Sequence, residues 1–128
     1  MSYQRYKGIK GKAWTMFSKY IRARDQGVCI TCGRPAKGSG YHAGHFIPVG
    51  VTGSNNRLAW DEDNVYGQCM QCNVWRGGWG EKFTEVLIKR NGKKFVEDLR
   101  ARRHKIDPIK DWQEVLDYYK EKLKQLKK

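Results

Sequence analysis

The sequence predicts a small α+β domain: a β-hairpin and a helix stapled by a four-cysteine zinc site, with flanking N- and C-terminal helices. Two Cys-x-x-Cys pairs, Cys29/Cys32 and Cys69/Cys72, enclose a segment with the composition of strands and loops. Apolar residues recur at helical spacing on both sides of that segment. The chain of 128 residues is long enough for one domain with a modest core.

Residues 1–28 are predicted to form an N-terminal helical segment. Its helix spans residues 12–24, and Gly27 is placed to end it. Three apolar side chains share one face of this helix, namely Trp14, Phe17 and Ile21. That face is expected to pack into the core.

Residues 29–80 are predicted to form the zinc-bound core, which is built on the hairpin. The first strand covers residues 41–47 and is stopped by a proline. Residues 49–56 are rich in Gly, Ser, Thr and Asn, which is typical of a loop. Residues 57–60 are predicted to be the returning strand, and a short helix is expected to start at Asn73.

Residues 81–128 are predicted to form basic C-terminal helices that pack on the core. Two helices are expected over residues 81–90 and 93–104, each with an apolar face. Asp107 and Pro108 are predicted to begin a last helix as its N-cap and first-turn residues. The apolar stripe of that helix packs on its own domain or, alternatively, forms the seam of a homodimer.

The composition is strongly basic, since 26 lysines and arginines against 13 acidic residues give a formal net charge of +13. This charge indicates an anionic partner, and nucleic acid is the first candidate because phosphate contacts give sequence-independent affinity. A membrane surface is the alternative, but it needs an amphipathic helix with bulky apolar residues opposite lysines. The chain shows no secretory signal and no apolar run of membrane-spanning length, so a cytoplasmic protein without membrane association is expected.

The four cysteines are predicted to bind one structural zinc ion. Each pair can chelate through two sulfur atoms, and the two pairs together complete a tetrahedral shell. Four thiolates leave no open position for a substrate, so this zinc is not catalytic. Disulfides and an iron–sulfur cluster are the alternatives, and a reducing compartment disfavours the disulfides.

A second group of polar residues lies between and beside the cysteine pairs. His42 and His45 stand on the predicted first strand, Asn64 precedes the second pair, and Asn73 directly follows it. The zinc shell is already complete, so these histidines belong to the surface, the core or a separate site. Their clustering around one metal site favours a separate functional site.

The order of these motifs resembles the HNH, or His-Me finger, nucleases. More closely, it is similar to the lambda-type NinG (Rap) recombination proteins of phages and prophages. The resemblance runs from about residue 14 to about residue 103. The matching motifs are Cys29-x-x-Cys32-Gly33, His42-Ala43-Gly44-His45-Phe46, Asn64, Gln68-Cys69-x-x-Cys72-Asn73, Gly77-Gly78 and, before the first cysteine pair, Phe17-Ser18-x-Tyr20-Ile21-Arg22-x-Arg24-Asp25.

The resemblance implies a ββα-metal nuclease. His45 would be the general base that takes a proton from the attacking water. Asn73 would help to hold a divalent ion, Mg²⁺ or Mn²⁺, against the scissile phosphate. Asn64 would fix the hairpin so that His45 points correctly.

One position departs from the HNH pattern. Most HNH nucleases carry an acidic or histidine metal ligand immediately before the base, and here that residue is Gly44. Side chains alternate along a strand, so His42 lies on the same face as Gly44. We expect His42 to supply the missing ligand, with Asp61 or Asp63 as the reserve.

Basic residues are the candidate DNA contacts. Arg57 and Arg76 lie next to the expected site and would grip the scissile strand. Five residues in the C-terminal helices are also expected to bind phosphates, namely Lys93, Lys94, Arg100, Arg102 and Arg103.

The tryptophans are divided between the core and the candidate site. Three are predicted to lie in the core, namely Trp14, Trp75 and Trp112. Trp60 and Trp79 either stack on exposed bases or lie buried beside the zinc.

These features predict a metal-dependent, structure-selective DNA endonuclease. It would hydrolyse phosphodiester bonds in branched, Holliday junction-like intermediates of phage or prophage recombination, inside the bacterial host cell. One alternative is a non-catalytic zinc-finger module that binds branched DNA and assists a recombinase. A second is an RNA-binding zinc-ribbon protein. Neither alternative needs the two histidines and Asn73, which therefore distinguish the nuclease from both.

Overall fold

The computed structural model describes residues 6–127, and within them it confirms the α+β class. Two strands, β1 (Tyr41–His45) and β2 (Val65–Cys69), form an antiparallel hairpin. The helices are α1 (Gly8–Arg24), a single turn α2 (Val49–Thr52), α3 (Gly80–Asn91), α4 (Lys93–Ala101) and α5 (Trp112–Leu126). None of the helices in this part of the chain is both long and apolar enough to cross a membrane.

Helix α1 begins four residues before the predicted start and ends at the predicted residue, Arg24. Gly27 adopts a left-handed φ of +76°, which reverses the chain into the first cysteine pair. Ala13, Phe17 and Ile21 are fully buried on one face of the helix. The apolar periodicity therefore identified both the helix and its buried side.

The prediction of a returning strand at residues 57–60 is wrong. Those residues form a 3₁₀ turn, Arg57–Trp60, and the strand that pairs with β1 is β2. The carboxamide oxygen of Asn56 accepts the Leu58 N–H at 2.9 Å, and the Trp60 indole N–H donates to the Ser54 carbonyl at 2.8 Å. These local bonds curl the segment and keep it out of the sheet.

Strand β2 ends at Cys69, the first residue of the second cysteine pair. His42 lies opposite Gln68, Gly44 opposite Tyr66, and Tyr41 opposite Cys69. The predicted loop at residues 49–56 contains the short helix α2, and the predicted first strand ends two residues early. The connection between β1 and β2 therefore contains both α2 and the 3₁₀ turn.

The segment after the second cysteine pair also differs in detail. A π-helical turn, Gln71–Trp75, replaces the short helix predicted from Asn73. Helix α3 matches its prediction within one residue at each end, and α4 ends three residues early. Helix α5 begins at Trp112 rather than after Asp107, because the Asp111 carboxylate accepts the Glu114 N–H at 3.1 Å and forms the N-cap.

Two apolar clusters lie against the hairpin. The cluster on the side of α1 and α5 contains Ala13, Phe17, Tyr20, Ile21, Ala59, Trp60, Val65, Ile109, Leu116 and Tyr119. The cluster on the side of α3 and α4 contains Ile30, Phe46, Ile47, Leu58, Tyr66, Phe83, Leu87, Val96 and Leu99. The two-stranded sheet is too small to be stable alone, and these helices supply the apolar surface that covers it.

Candidate functional site

The four cysteine sulfur atoms converge on one point. They all lie within 4.8 Å of one another, and the Cys32 and Cys69 sulfurs are 3.7 Å apart. A tetrahedral Zn²⁺ site with Zn–S bonds of about 2.3 Å places its sulfurs ~3.8 Å apart, so the donor set fits this ion. All four thiols are free, so they are not paired in disulfides. They can hold a metal ion such as zinc.

Backbone hydrogen bonds hold the two cysteine pairs against the hairpin. The Gly33 N–H donates to the Cys29 carbonyl at 2.9 Å and closes the first turn, where Gly33 has a φ of +74°. The Ile30 N–H donates to the Gly67 carbonyl at 2.8 Å, which fastens this turn to β2. On the other side, the Gly78 N–H donates to the Cys72 carbonyl at 2.9 Å. The four-cysteine cluster is therefore held against the sheet by backbone hydrogen bonds.

The crowded thiols differ in their ionisation when no cation is bound. Burial alone raises the pKa of the Cys29 thiol, but hydrogen bonds from the Cys32 backbone N–H and the Thr31 hydroxyl outweigh it and lower this pKa to about 6. Burial raises the pKa of the Cys72 thiol to about 12. A bound divalent cation stabilises thiolates, so its positive charge would allow all four cysteines to be deprotonated together.

His42 and Asn73 are brought into direct contact. The Asn73 side-chain N–H donates to His42 Nδ1 at 2.9 Å, and His42 Nε2 donates to the Ser39 carbonyl at 2.9 Å. Both residues are partly exposed. The two groups predicted to share a divalent ion therefore touch across the hairpin and the π-helical turn. In this arrangement the Asn73 N–H occupies the lone pair of His42 Nδ1. For both residues to bind one metal ion, the Asn73 amide has to rotate so that its oxygen, instead of its nitrogen, faces the ion.

His45 is held at the end of β1 by a backbone carbonyl and a tryptophan. Its Nε2 lies 2.7 Å from the Ala59 carbonyl oxygen, and its ring stacks on Trp14 with centroids 5.6 Å apart and planes 9° apart. A carbonyl oxygen only accepts, so Nε2 carries the hydrogen. In the neutral ring the lone pair then lies on Nδ1, which fixes the tautomer.

His45 and His42 lie on opposite faces of the sheet. Side chains alternate along β1, so Ala43 and His45 face α1, whereas His42 and Gly44 face the π-helical turn. The two histidines are also three positions apart along the strand, which is ~10 Å. The two predicted histidines therefore do not meet as one cluster.

Asn64 is completely buried and closes the connection between the two strands. Its Oδ1 accepts the Ile47 N–H at 2.7 Å, and its Nδ2 donates to the carbonyls of Leu58 and Ile47 at 3.0 and 3.2 Å. It thus joins the chain just after His45 to the 3₁₀ turn whose Ala59 carbonyl holds that histidine. This is the geometry that a residue fixing the hairpin requires.

Replacing Asn64 by alanine is expected to lower the free energy of unfolding by about 2–4 kcal/mol, because buried backbone groups lose their partners. Urea unfolding of the zinc-loaded protein measures this loss. Asn91→Ala is the matched control, since Asn91 is exposed at the end of α3. Equal stability of the two variants would show that the Asn64 side chain does not hold the hairpin together.

Of the two reserve acidic ligands, Asp61 is bound to other groups. Asp61 Oδ2 accepts from Arg102 at 2.8 Å, and Asp61 Oδ1 accepts the Asp63 N–H at 2.8 Å. Burial, followed by the charges of Asp61 and Glu62, raises the pKa of the Asp63 carboxyl. These acids form a turn stabilised by its own contacts and by Arg102.

The predicted phosphate contacts differ in their surroundings. Arg57 is exposed and pairs with Asp107 at 3.4 Å, and Arg102 is bound to Asp61. Lys93 and Lys94 pair along α4 with acidic residues one turn away, at 4.0 and 3.3 Å. The remaining three residues, Arg76, Arg100 and Arg103, are also exposed.

The prediction that Trp75 belongs to the core is wrong. Its side chain is 77% exposed, because the π-helical turn points it away from both apolar clusters. Trp60 is the buried member instead, at 4% exposure within the α1 side cluster. Trp14 and Trp112 pack against that cluster as predicted. Trp79 is half-buried, with the Arg76 guanidinium 4.1 Å from its ring centroid.

Comparison with known proteins gives the family of this chain. The family model described as Bacteriophage Lambda NinG protein matches residues 3–128. The chain belongs to the NinG family. It is 30% identical over 111 residues to Protein ninG of Escherichia phage 933W, covering 84% of this chain and 53% of that relative. The ninG proteins of Salmonella phage P22 and Escherichia phage lambda are equally similar, at 30% over 111 residues, with 52% of each relative covered.

The NinG relatives are longer than this chain. The chain spans about half the length of the curated NinG proteins that it matches. No solved structure gives a significant match to it. The four-cysteine cluster and the hairpin described above both lie within the region matched by the NinG family model.

Gln68 has no role in the sequence-based prediction, although it belongs to the matching motif before Cys69. The side chain is completely buried in β2, directly opposite His42. A glutamine inside a short strand, next to a metal ligand and facing a histidine, was the signal available in the sequence. Only the three-dimensional arrangement shows that its oxygen points at Gly44.

Proposed function

We propose that this NinG-family chain is a metal-dependent endonuclease that hydrolyses phosphodiester bonds in branched DNA, such as Holliday junction-like recombination intermediates. The arrangement of His45 is the observation that carries the proposal. Its ring is fixed at the end of β1, with Nε2 on the Ala59 carbonyl and the adjacent connection closed by buried Asn64. An imidazole held in one tautomer with its lone pair on Nδ1 is suited to accept a proton from water.

In this mechanism the protein residues have separate tasks. His45 Nδ1 takes the proton of the attacking water, and the Ala59 carbonyl stabilises the resulting imidazolium through the Nε2 hydrogen. Asn73 and His42 would hold a divalent ion, Mg²⁺ or Mn²⁺. When bound, that ion supplies positive charge that stabilises the phosphorane-like transition state and the leaving oxygen.

The zinc cluster supports the site without taking part in the chemistry. Cys72 is a ligand in the four-cysteine cluster, and Asn73 is the next residue. The position of Asn73 therefore depends on the metal that holds the π-helical turn to the hairpin. Because Asn73 follows a zinc ligand directly, the zinc site restricts the conformational freedom of Asn73. The side chain is then already positioned to hold the divalent ion.

The charge of the chain favours a nucleic-acid substrate. The net charge is +13, and two of the predicted phosphate contacts, Arg57 and Arg76, are exposed. Phosphate contacts of this kind position a strand without reading its sequence. Lys93, Lys94 and Arg100 of α4 are exposed as well, and so is Arg103 in the turn that follows. In a phage NinG protein, such a surface acts on DNA inside the host cell.

A substrate panel tests the proposal. The zinc-loaded chain is incubated with Mg²⁺ or Mn²⁺ and an end-labelled four-way DNA junction, a flap, a plain duplex and an RNA junction. We expect faster cutting of the junction and the flap than of the duplex, and no cutting of RNA. Tighter binding to the RNA junction, without cleavage of any DNA, would instead identify an RNA-binding protein.

Trp75 is expected to contribute the preference for unpaired bases. It is 77% exposed beside Val74, which is 56% exposed, on the turn that carries Asn73. Stacking of one base on an aromatic ring contributes about 1–3 kcal/mol, so Trp75→Ala is expected to weaken junction binding by roughly 5- to 150-fold. Duplex binding is expected to stay nearly constant.

Fluorescence anisotropy with the junction and a duplex of the same length measures this effect. Trp75→Phe is the matched control, because it keeps an aromatic face and is expected to retain most of the preference. An unchanged ratio of junction to duplex affinity in Trp75→Ala would show that the exposed indole does not contact bases.

A further inference from the structure

Gln68 carries a buried polar atom without a partner. Its side chain is completely buried, and its Oε1 has no hydrogen-bond partner among residues 6–127. Its Nε2 donates to the Gly78 carbonyl at 2.8 Å and to the Thr31 hydroxyl at 3.1 Å. A carbonyl only accepts, so nitrogen and oxygen are assigned correctly. A buried amide oxygen left unpaired is destabilising, which calls for a water or a cation at this position.

The orphan oxygen lies at the position of a side chain that Gly44 lacks. A Cβ built on Gly44 would overlap Gln68 Oε1 and come within 3.0 Å of Gln68 Cβ. The neighbouring strand therefore fills this space with a carboxamide, and its oxygen takes the place of a side-chain group at position 44. This also explains the glycine, because any larger residue would collide with Gln68.

The other candidate ligands, His42 and Asn73, belong to the same face of the sheet as Gln68. Gln68 lies opposite His42 in the hairpin register, so the two side chains share one face of the sheet. His42 Nδ1 is bonded to Asn73 at 2.9 Å. Gly44 also immediately precedes His45, whereas His42 is three residues away. The oxygen thus lies one residue along the chain from the proposed base, on the opposite face of the sheet.

We propose that Gln68 Oε1 is an oxygen ligand of a divalent ion, Mg²⁺ or Mn²⁺, which it binds together with Asn73 and His42. Amide oxygens suit such cations, whereas the four thiolates suit zinc. The ligand role rests on the proposed metal-dependent function and names the residue that completes its site. The Thr31 hydroxyl that accepts from Gln68 also lies 3.3 Å from Cys29 Sγ, so Gln68 links the two metal sites.

Mn²⁺ binding to the zinc-loaded protein without DNA tests this ligand role, measured by electron paramagnetic resonance. Gly44→Ala pushes a methyl group into Oε1, and Gln68→Ala removes it. Each is expected to weaken Mn²⁺ binding by about 10- to 100-fold. Gly50→Ala is the matched control, since a Cβ at Gly50 meets nothing within 4 Å, and it is expected to bind as the wild type does.

A relocated ligand gives a positive test. In the double variant Gly44→Asp/Gln68→Ala, the carboxylate enters the space that the carboxamide leaves, and Mn²⁺ affinity is expected to return to at least that of the wild type. Zinc content and melting temperature show that each variant is folded. If Gln68→Ala does not fold, Gly44→Ala and the double variant decide.

Wild-type Mn²⁺ affinity in both single variants would overturn the proposal and assign a buried water to Oε1. Absence of Mn²⁺ binding by the wild type would overturn it as well. The same proteins are then incubated with the DNA junction. Weakened Mn²⁺ binding in a protein that never cuts DNA supports the ligand role and refutes the nuclease. Metal-dependent cutting with unchanged Mn²⁺ binding refutes the ligand role alone.

Discussion

Replacing His45 by alanine is expected to reduce metal-dependent cleavage of a DNA junction by about 10²–10⁴-fold, the usual contribution of a positioned proton acceptor. The reason is that the Ala59 carbonyl holds the tautomer in which the lone pair of His45 lies on Nδ1, at the end of β1. The measurement is the initial rate of product formation from an end-labelled four-way junction at saturating Mg²⁺.

Two controls separate chemistry from folding in the His45 experiment. His104→Ala removes an exposed histidine in the turn after α4 and is expected to cleave at the wild-type rate. Added imidazole is expected to restore part of the activity of His45→Ala but not to accelerate the wild type. Full activity of a folded His45→Ala protein would exclude His45 as the base.

Removal of the second cysteine pair is expected to have the largest effect on stability. In the variant Cys69→Ala/Cys72→Ala the ion loses half of its ligands, and zinc content should fall from about one ion per chain to near zero. Structural zinc contributes about 10–16 kcal/mol of apparent binding energy to small domains. We therefore expect a loss of at least about 5 kcal/mol in the free energy of unfolding.

Hydrogen exchange locates this destabilisation. Protection is expected to disappear first in β1, β2 and the π-helical turn, because the Ile30–Gly67 and Gly78–Cys72 backbone bonds join the cysteine turns to them. Met70→Ala is the matched control, since Met70 lies between the same two cysteines and is 38% exposed. A double variant as stable as Met70→Ala would show that the cysteines do not support the fold.

Local patterns in the sequence were sufficient for some elements. The apolar spacing of α1 and α3 follows the helical period closely, and both helices lie where it predicts them. The two Cys-x-x-Cys pairs were sufficient to predict one metal cluster, because the four sulfurs need only the hairpin to bring them together. Asn73 was expected near the hairpin for the same reason, and it contacts His42.

Other features depend on contacts that no local pattern contains. Residues 57–60 are apolar enough for a strand, but the caps supplied by Asn56 and Ser54 fold them into a turn. The true strand β2 contains a glycine, which weakens its strand signal. The exposure of Trp75 follows from the π-helical turn, whose geometry is set around Cys72.

Some features of the candidate site also cannot be predicted from local patterns in the sequence. Strand alternation predicts that His42 shares a face with Gly44, but not that the carboxamide of Gln68 reaches across from β2 to fill the space at Gly44. Nor does it reveal that the lone pair of His45 lies on Nδ1, since this depends on the distant Ala59 carbonyl. The first feature depends on the pairing of the two strands, and the second on the position of the 3₁₀ turn beside the end of β1.

We propose that a metal other than the structural zinc enables this chain to cut DNA, and one titration tests this most directly. Zinc-loaded wild-type protein is mixed with the labelled four-way junction, and Mg²⁺ or Mn²⁺ is added stepwise while cleavage and bound zinc are both followed. We predict no cleavage with zinc alone, increasing cleavage as the second metal is added, and its loss on brief EDTA treatment that leaves the zinc bound. Binding that survives EDTA, with no nick at any metal concentration, would contradict the claim and identify a DNA-binding module that does not cut.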